Sequence, residues 1–156
     1  MNDLIAKTSN GHKISSAGAA LAILCFFLPW ILASCGGQTT SLNGWQLSAG
    51  STTGSGYFAQ QVPGKAILFL VLLIAFAVIA IAYLAWRRGH LTQTDGFGPI
   101  GLGGLALLIL LITFSGAKAQ AAQQGIYFEY QYGLWGVVIG YIGTIIGGVL
   151  NLREKS

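Results

Sequence analysis

Four stretches of the chain are apolar from end to end, with polar segments between them: Ile14–Ala33, Ala66–Trp86, Pro99–Ser115 and Leu134–Leu150. None holds a charged side chain. A helix rises about 1.5 Å per residue, so runs of this length reach across the roughly 30 Å hydrocarbon core of a bilayer. The pattern predicts an all-α integral membrane protein, an antiparallel bundle of four transmembrane helices at about 14–33, 66–86, 99–115 and 134–150. The Ala/Gln-rich tail Ala117–Gln124 holds good helix formers and extends the third helix to 124. The short polar turn Gly89–Gly98 forces the second and third helices to be antiparallel neighbours. Residues 1–156 then form a single transmembrane domain.

The polar segments carry their own signals. Residues 1–13 read as a loose tail. Pro29 and Trp30 close the first run, as a kink and an interfacial anchor. The Ser/Thr/Gly-rich loop after Ala33 contains Asn43-Gly44 between Thr39-Thr40-Ser41-Leu42 and Trp45-Gln46-Leu47-Ser48. Asn-Gly favours a two-residue hairpin turn, which predicts a small β-hairpin with Leu42 and Trp45 beside its turn. Pro99 fits the first turn of the third helix, where its missing N–H costs nothing. Tyr127, Tyr130, Tyr132 and Trp135 cluster before the fourth run. With Trp30, Trp45 and Trp86 they read as aromatics of the membrane interface.

Composition sharpens this picture. Only 8% of residues are charged and 54% are hydrophobic. A soluble domain carries about 25% charged residues, so the composition itself points to a membrane class, and with the four apolar runs taken up by lipid no room remains for a separate soluble domain. The net charge of +4 is spread over helix ends, which argues for topology rather than nucleic acid. Lys7, Lys13, Arg87, Arg88, Arg153 and Lys155 fall on one side of a four-span thread, against Lys65 and Lys118 on the other. The positive-inside rule then predicts a plasma (inner) membrane protein with both termini cytoplasmic.

Small residues are spaced for close packing. Gly136, Gly140, Gly143 and Gly147 line one face of the fourth helix, and such faces let helix backbones approach where lipid supplies no hydrophobic drive. Gly18, Ala22 and Cys25 form a comparable face on the first helix, and Gly101 and Gly104 a shorter one on the third. These faces either meet within the bundle or dock on another subunit.

Candidate chemistry is sparse. Asp3, Asp95, Glu129, Glu154 and all Lys and Arg residues lie outside the apolar runs, which argues against a proton relay, voltage sensor or ion-coupled transporter. His12 and His90 both sit at the cytoplasmic edge and cannot sandwich a haem iron within the bilayer. No residues have zinc or calcium spacing, and no serine has a partnered base. Neither a cofactor nor a metal is implied, no bound lipid, quinone or pigment is indicated, and the chain reads as no enzyme. A helical Cys25 and Cys35 would stand about 15 Å apart, beyond disulfide reach.

Leu32-Ala33-Ser34-Cys35-Gly36, behind an apolar run preceded by Lys7 and Lys13, resembles a bacterial lipobox. That resemblance implies lipidation at Cys35 after removal of the preceding segment. The string Pro29-Trp30…Cys35-Gly36-Gly37…Gly44-Trp45-Gln46-Leu47 resembles uncharacterised small bacterial four-helix membrane proteins, a likeness that implies no activity. The four-helix layout with one larger outer loop is similar to claudin-like tetraspans in architecture. Here, however, Gly133-Leu134-Trp135 opens the fourth run and a second loop cysteine is missing, so no barrier function carries over. The leading functional expectation is a non-catalytic accessory or scaffold subunit in a larger membrane complex, respiratory or photosynthetic, with membrane lipids and other subunits as partners. The alternatives are a binder or conduit for a small hydrophobic molecule, lined by Thr113, Ser115, Tyr141 and Thr144, and a lipoprotein processed at Cys35.

Overall fold

The computed structural model describes residues 10–35, 38–53, 60–62, 64–88, 94–115 and 127–153. Its elements are α1 (Asn10–Phe26), β1 (Pro29–Cys35), β2 (Gln38–Asn43), α2 (Gly44–Ala49), β3 (Ser51–Thr53), β4 (Gln60–Val62), α3 (Ile67–Arg88), α4 (Thr94–Phe114), β5 (Tyr127–Tyr130) and α5 (Tyr132–Arg153). Among the described residues three helical stretches are long and apolar enough to cross a membrane: α3, Gly96–Phe114 within α4, and α5. The four long helices close a ring in which α1 lies against α5 and α3, and α4 lies against α5 and α3. The Ala/Gln tail at 117–124 lies outside the described residues.

The first apolar run departs from the predicted single helix over 14–33. α1 starts earlier, at Asn10 inside the polar tail, and stops at Phe26. The stop is local in origin. A residue before proline is disfavoured in helical conformation, so Leu28-Pro29 turns the chain out of the helix. The last turn tightens instead, with Phe27 N–H donating to Leu24 C=O at 3.3 Å and Leu28 N–H to Cys25 C=O at 3.2 Å. Proline is tolerated as the first residue of a strand, and Pro29 opens β1 there. Cys35 is thus at the end of a strand, not further along the helix that holds Cys25.

The predicted hairpin about Asn43-Gly44 does not form. Asn43 is the N-cap of α2: its side chain accepts from Gln46 N–H at 2.8 Å, and Gln46 Oε1 accepts from Asn43 N–H at 3.0 Å. This reciprocal capping box makes Trp45–Ser48 helical rather than extended. The hairpin is one element earlier, where β1 and β2 pair antiparallel from Pro29↔Asn43 to Cys35↔Gln38, with a register shift between Pro29 and Ile31. β5 joins the other edge of β1, pairing Ile31 with Tyr130 and Ser34 with Tyr127, in a sheet ordered β2-β1-β5. A sheet contributed by both inter-helix loops therefore caps one end of the bundle.

α4 starts a turn before Pro99, on Thr94-Asp95, residues suited to a helix N-terminus. Pro99 is consequently inside the helix, fully buried, and not in its first turn.

The fit between α1 and α5 is tight enough to be tested by adding single methyl groups. A Cβ at Gly140 would lie 2.7 Å from the Gly18 carbonyl oxygen and 2.9 Å from Ala22 N, whereas at Gly143 the nearest atom is Gly18 Cα at 3.7 Å. Gly140→Ala is expected to destabilise the fold by roughly 1–3 kcal/mol, the range for overpacking, and Gly143→Ala to be close to neutral. Unfolding of the two variants in detergent, followed by circular dichroism, checks the contrast.

Candidate functional site

The small-residue faces singled out on the first and fourth apolar runs lie along one line of contact, between α1 and α5. A Cβ at Gly136 would meet Cys25 Sγ, and one at Gly147 would stand 2.5 Å from Ser15 N and 2.6 Å from the Gly11 carbonyl oxygen. From the other helix, a Cβ at Gly18 would stand 2.5 Å from the Gly140 carbonyl oxygen. Ala22 is buried against the same stretch, and Gly133 meets the backbone of Leu28 and Pro29 at the cap end. The two helices run antiparallel and in contact from Gly11 beside Asn151 to Cys25 beside Gly136, and Pro29 just past α1 continues the contact beside Gly133.

Side-chain hydrogen bonds stitch this seam. Ser15 Oγ donates to the Thr144 carbonyl at 3.2 Å, while Thr144 Oγ1 lies 3.0 Å from the Gly140 carbonyl and 3.4 Å from that of Ser15. Hydroxyls in such positions hold membrane helices together by about 0.6–2 kcal/mol each. Asn151 and His12 are buried at the same end. His12 reads from the sequence as an edge or tail residue, yet it lies within α1. The missed signal is the spacing of Gly11, Ser15, Gly18, Ala22 and Cys25, which continues the small face of α1 back into the polar tail.

α5 carries a second small face toward α4. A Cβ at Gly148 would lie 2.9 Å from the Gly96 carbonyl oxygen, and one at Gly103 would lie 2.8 Å from Ile145 Cγ1. Gly101 and Gly104 differ: a Cβ on either meets no described atom within 4 Å.

The aromatic residues divide into two environments. Trp45, Trp86, Tyr132 and Trp135 are exposed on the described surface. Trp30 is not an interfacial anchor; it is 0% exposed. Its Nε1–H donates at 2.9 Å to the Cys25 carbonyl, which also accepts from Leu28 N–H and whose usual helical donor, four residues on, is replaced by Pro29. Its indole packs edge-on to Phe26 at 5.3 Å and tilts over Phe114 at 6.1 Å. Gly44 sits against the ring, since a Cβ there would stand 2.8 Å from Trp30 Cζ2. Tyr130 is half-buried, edge-on to Phe114, and donates to the Phe114 carbonyl at 3.3 Å. Tyr127 is placed by its backbone in β5; its side chain is outside the described residues, as is that of Cys35.

Of the side chains named as a conduit lining, the hydroxyls of Tyr141, Thr144 and Ser115 are engaged inside the chain. The Tyr141 hydroxyl donates to the Val71 carbonyl, joining α5 to α3 across the ring, and Ser115 donates to the Ile112 carbonyl. The Thr113 carbonyl accepts from Lys65 Nζ at 3.3 Å. Cys25 is a free, buried thiol. Among the described residues no three His, Cys, Asp or Glu side chains come together as metal ligands. Cleavage before Cys35, as the lipobox resemblance implies, would remove α1 and nearly all of β1, and with them the packing partner of the α5 glycines.

Trp30 and Tyr141 are expected to act as structural anchors of unequal size. Trp30→Phe removes one hydrogen bond, about 1 kcal/mol, whereas Trp30→Ala also leaves a cavity and costs about 3–5 kcal/mol. Tyr141→Phe should cost about 1 kcal/mol. Denaturation in detergent micelles ranks the three variants. The chain matches no protein-family model, no curated protein and no solved structure, so its functional reading rests on its own residues and geometry.

Proposed function

We propose that this chain is a non-catalytic accessory or scaffold subunit of a larger membrane complex, embedded as four antiparallel spans with both termini cytoplasmic. Support for a fourth span comes from α1, which accompanies α5 along nearly its whole length although it is the shorter helix. A helix that lines another through the bilayer shares its depth. The distribution of Lys and Arg supports the orientation.

The observation that carries the subunit reading is the pair Gly101 and Gly104. A glycine inside a helix costs about 1 kcal/mol relative to alanine, and the other described glycines of α4 offset that cost by close approach. Gly96 and Gly103 let α5 come near, and Gly98 faces Ile81 of α3. Gly101 and Gly104 have no such neighbour among the described residues, and both are exposed on the outer side of α4. Exposed Phe97 and Leu108 flank them on the same side, which suits the approach of a helix from another subunit. Gly136, Gly140 and Gly147 of α5, by contrast, are occupied by α1.

The test compares two kinds of variant in protein extracted gently from its own membrane. Gly101→Leu/Gly104→Leu should leave a folded monomer, slightly more stable than the parent, that no longer co-purifies with a stoichiometric assembly in native mass spectrometry. Gly140→Leu should instead lose the folded monomer. A double variant that stays with its assembly, or a parent protein released alone, overturns the reading.

A further inference from the structure

The exposed apolar faces of three long helices all end in basic side chains at the same end of the bundle. On α5, Trp135, Ile139, Ile142, Ile146 and Val149 are exposed at alternating four- and three-residue steps, and the next position of that stripe is Arg153, also exposed. On α1 the exposed positions Leu21 and Ala17 lead to exposed Lys13. On α3, Phe76, Ala80 and Leu84 lead to exposed Arg87, with Arg88 beside it. These ends coincide in space: Gly11 meets Asn151, Gly96 meets Leu152, and α3 ends only a short connection before α4 begins. Since α1 lies between α3 and α5, the cations occupy three consecutive helices on the perimeter.

The opposite end is built differently. There the α5 stripe finishes at Trp135, Trp45 stacks on Phe27, and the described cation Lys65 is turned to the Thr113 carbonyl. At the basic end the sequence sets six Lys and Arg residues against three acidic ones, Asp3, Asp95 and Glu154. Exposed Tyr83 and Trp86, with ring centroids 6.1 Å apart, stand beside Arg87 and Arg88 at the level where headgroups meet chains.

We infer that this perimeter docks anionic phospholipids, each acyl chain lying along an apolar stripe and each headgroup phosphate meeting the Lys or Arg that ends it. The charge is placed for that occupant: a stripe that terminates in a cation accepts a ligand apolar along its length and negative at its head. Selection is between headgroups, because all phospholipids share the chains. This inference rests on the membrane embedding proposed above, and not on the identity or existence of a host complex.

The experiment reconstitutes the full chain in nanodiscs of equimolar phosphatidylglycerol and phosphatidylethanolamine and reads the lipids retained on the released protein by native mass spectrometry. A basic side chain near an anionic surface is worth about fivefold, so the parent protein should retain phosphatidylglycerol at least about fivefold over phosphatidylethanolamine. Lys13→Gln/Arg87→Gln/Arg88→Gln/Arg153→Gln should bring the ratio back toward that of the disc, and Arg87→Lys/Arg88→Lys should keep it. All four side chains are exposed, so their replacement leaves the helix packing intact, which circular dichroism verifies. Lys65→Gln serves as the control at the other end and should change nothing. Equal retention of the two lipids by the parent, or an unchanged ratio in the fourfold variant, overturns the inference. Release of the chain from native membranes by alkaline wash would overturn the embedding itself, and is scored separately before reconstitution.

Discussion

Where α1 crosses α5, backbone meets backbone with almost no side chain between them, and the rest of the molecule is arranged around that contact. In lipid, apolar side chains gain little by leaving their surroundings, so two helices hold together through dispersion, short-range polar contacts and close fit. Glycine supplies the fit at Gly18, Gly140 and Gly147, and the Ser15 and Thr144 hydroxyls reach each other's backbone carbonyls, which a larger neighbour would keep apart. Because α5 also brings Gly148 close to α4, it is the helix from which the ring is built, and α3 closes that ring against α1 and α4.

A second constraint shapes the cap. Pro29 ends α1 and starts β1, and Trp30 then folds its indole back to the Cys25 carbonyl, which it shares with Leu28 N–H. The same ring fills the space between Phe26, Phe114 and the close-packed backbone of Gly44. One tryptophan thus links the end of α1, the start of α2 and the end of α4. The cap is continuous with the bundle for that reason, and β5 can reach β1 from the distant loop because Gln131 N–H donates to the Trp30 carbonyl at 2.8 Å.

The functional readings follow from what this packing consumes and what it leaves. The glycines of α5 are consumed within the chain, as are the hydroxyls of Tyr141 and Thr144. What remains outward is a pair of glycines on α4 with open space before them, and apolar stripes whose ends differ in charge. The first suits a helix from a partner subunit, the second a lipid with a charged head. Neither requires a reacting group, in keeping with ionisable residues confined to segments outside the apolar runs.

The sequence by itself determined the membrane class, three of the helices and the end at which positive charge collects, because length, apolarity and charge placement are properties of single segments. The small-residue spacing of Gly136, Gly140, Gly143 and Gly147 was legible too, since helical geometry puts them on one face. Tertiary structure alone decided which helix that face meets, because Gly18 and a second subunit's glycine would satisfy the same pattern. It also decided the fate of Trp30, whose burial depends on Phe114 and Gly44 arriving from elsewhere in the chain. The break of the first run at Phe26 was encoded by Leu28-Pro29, but apolarity outweighed that signal, since a buried strand and a membrane helix are equally apolar. At Asn43-Gly44, hairpin and N-cap compete for one dipeptide, and the capping partner Gln46 settled the choice in favour of the helix.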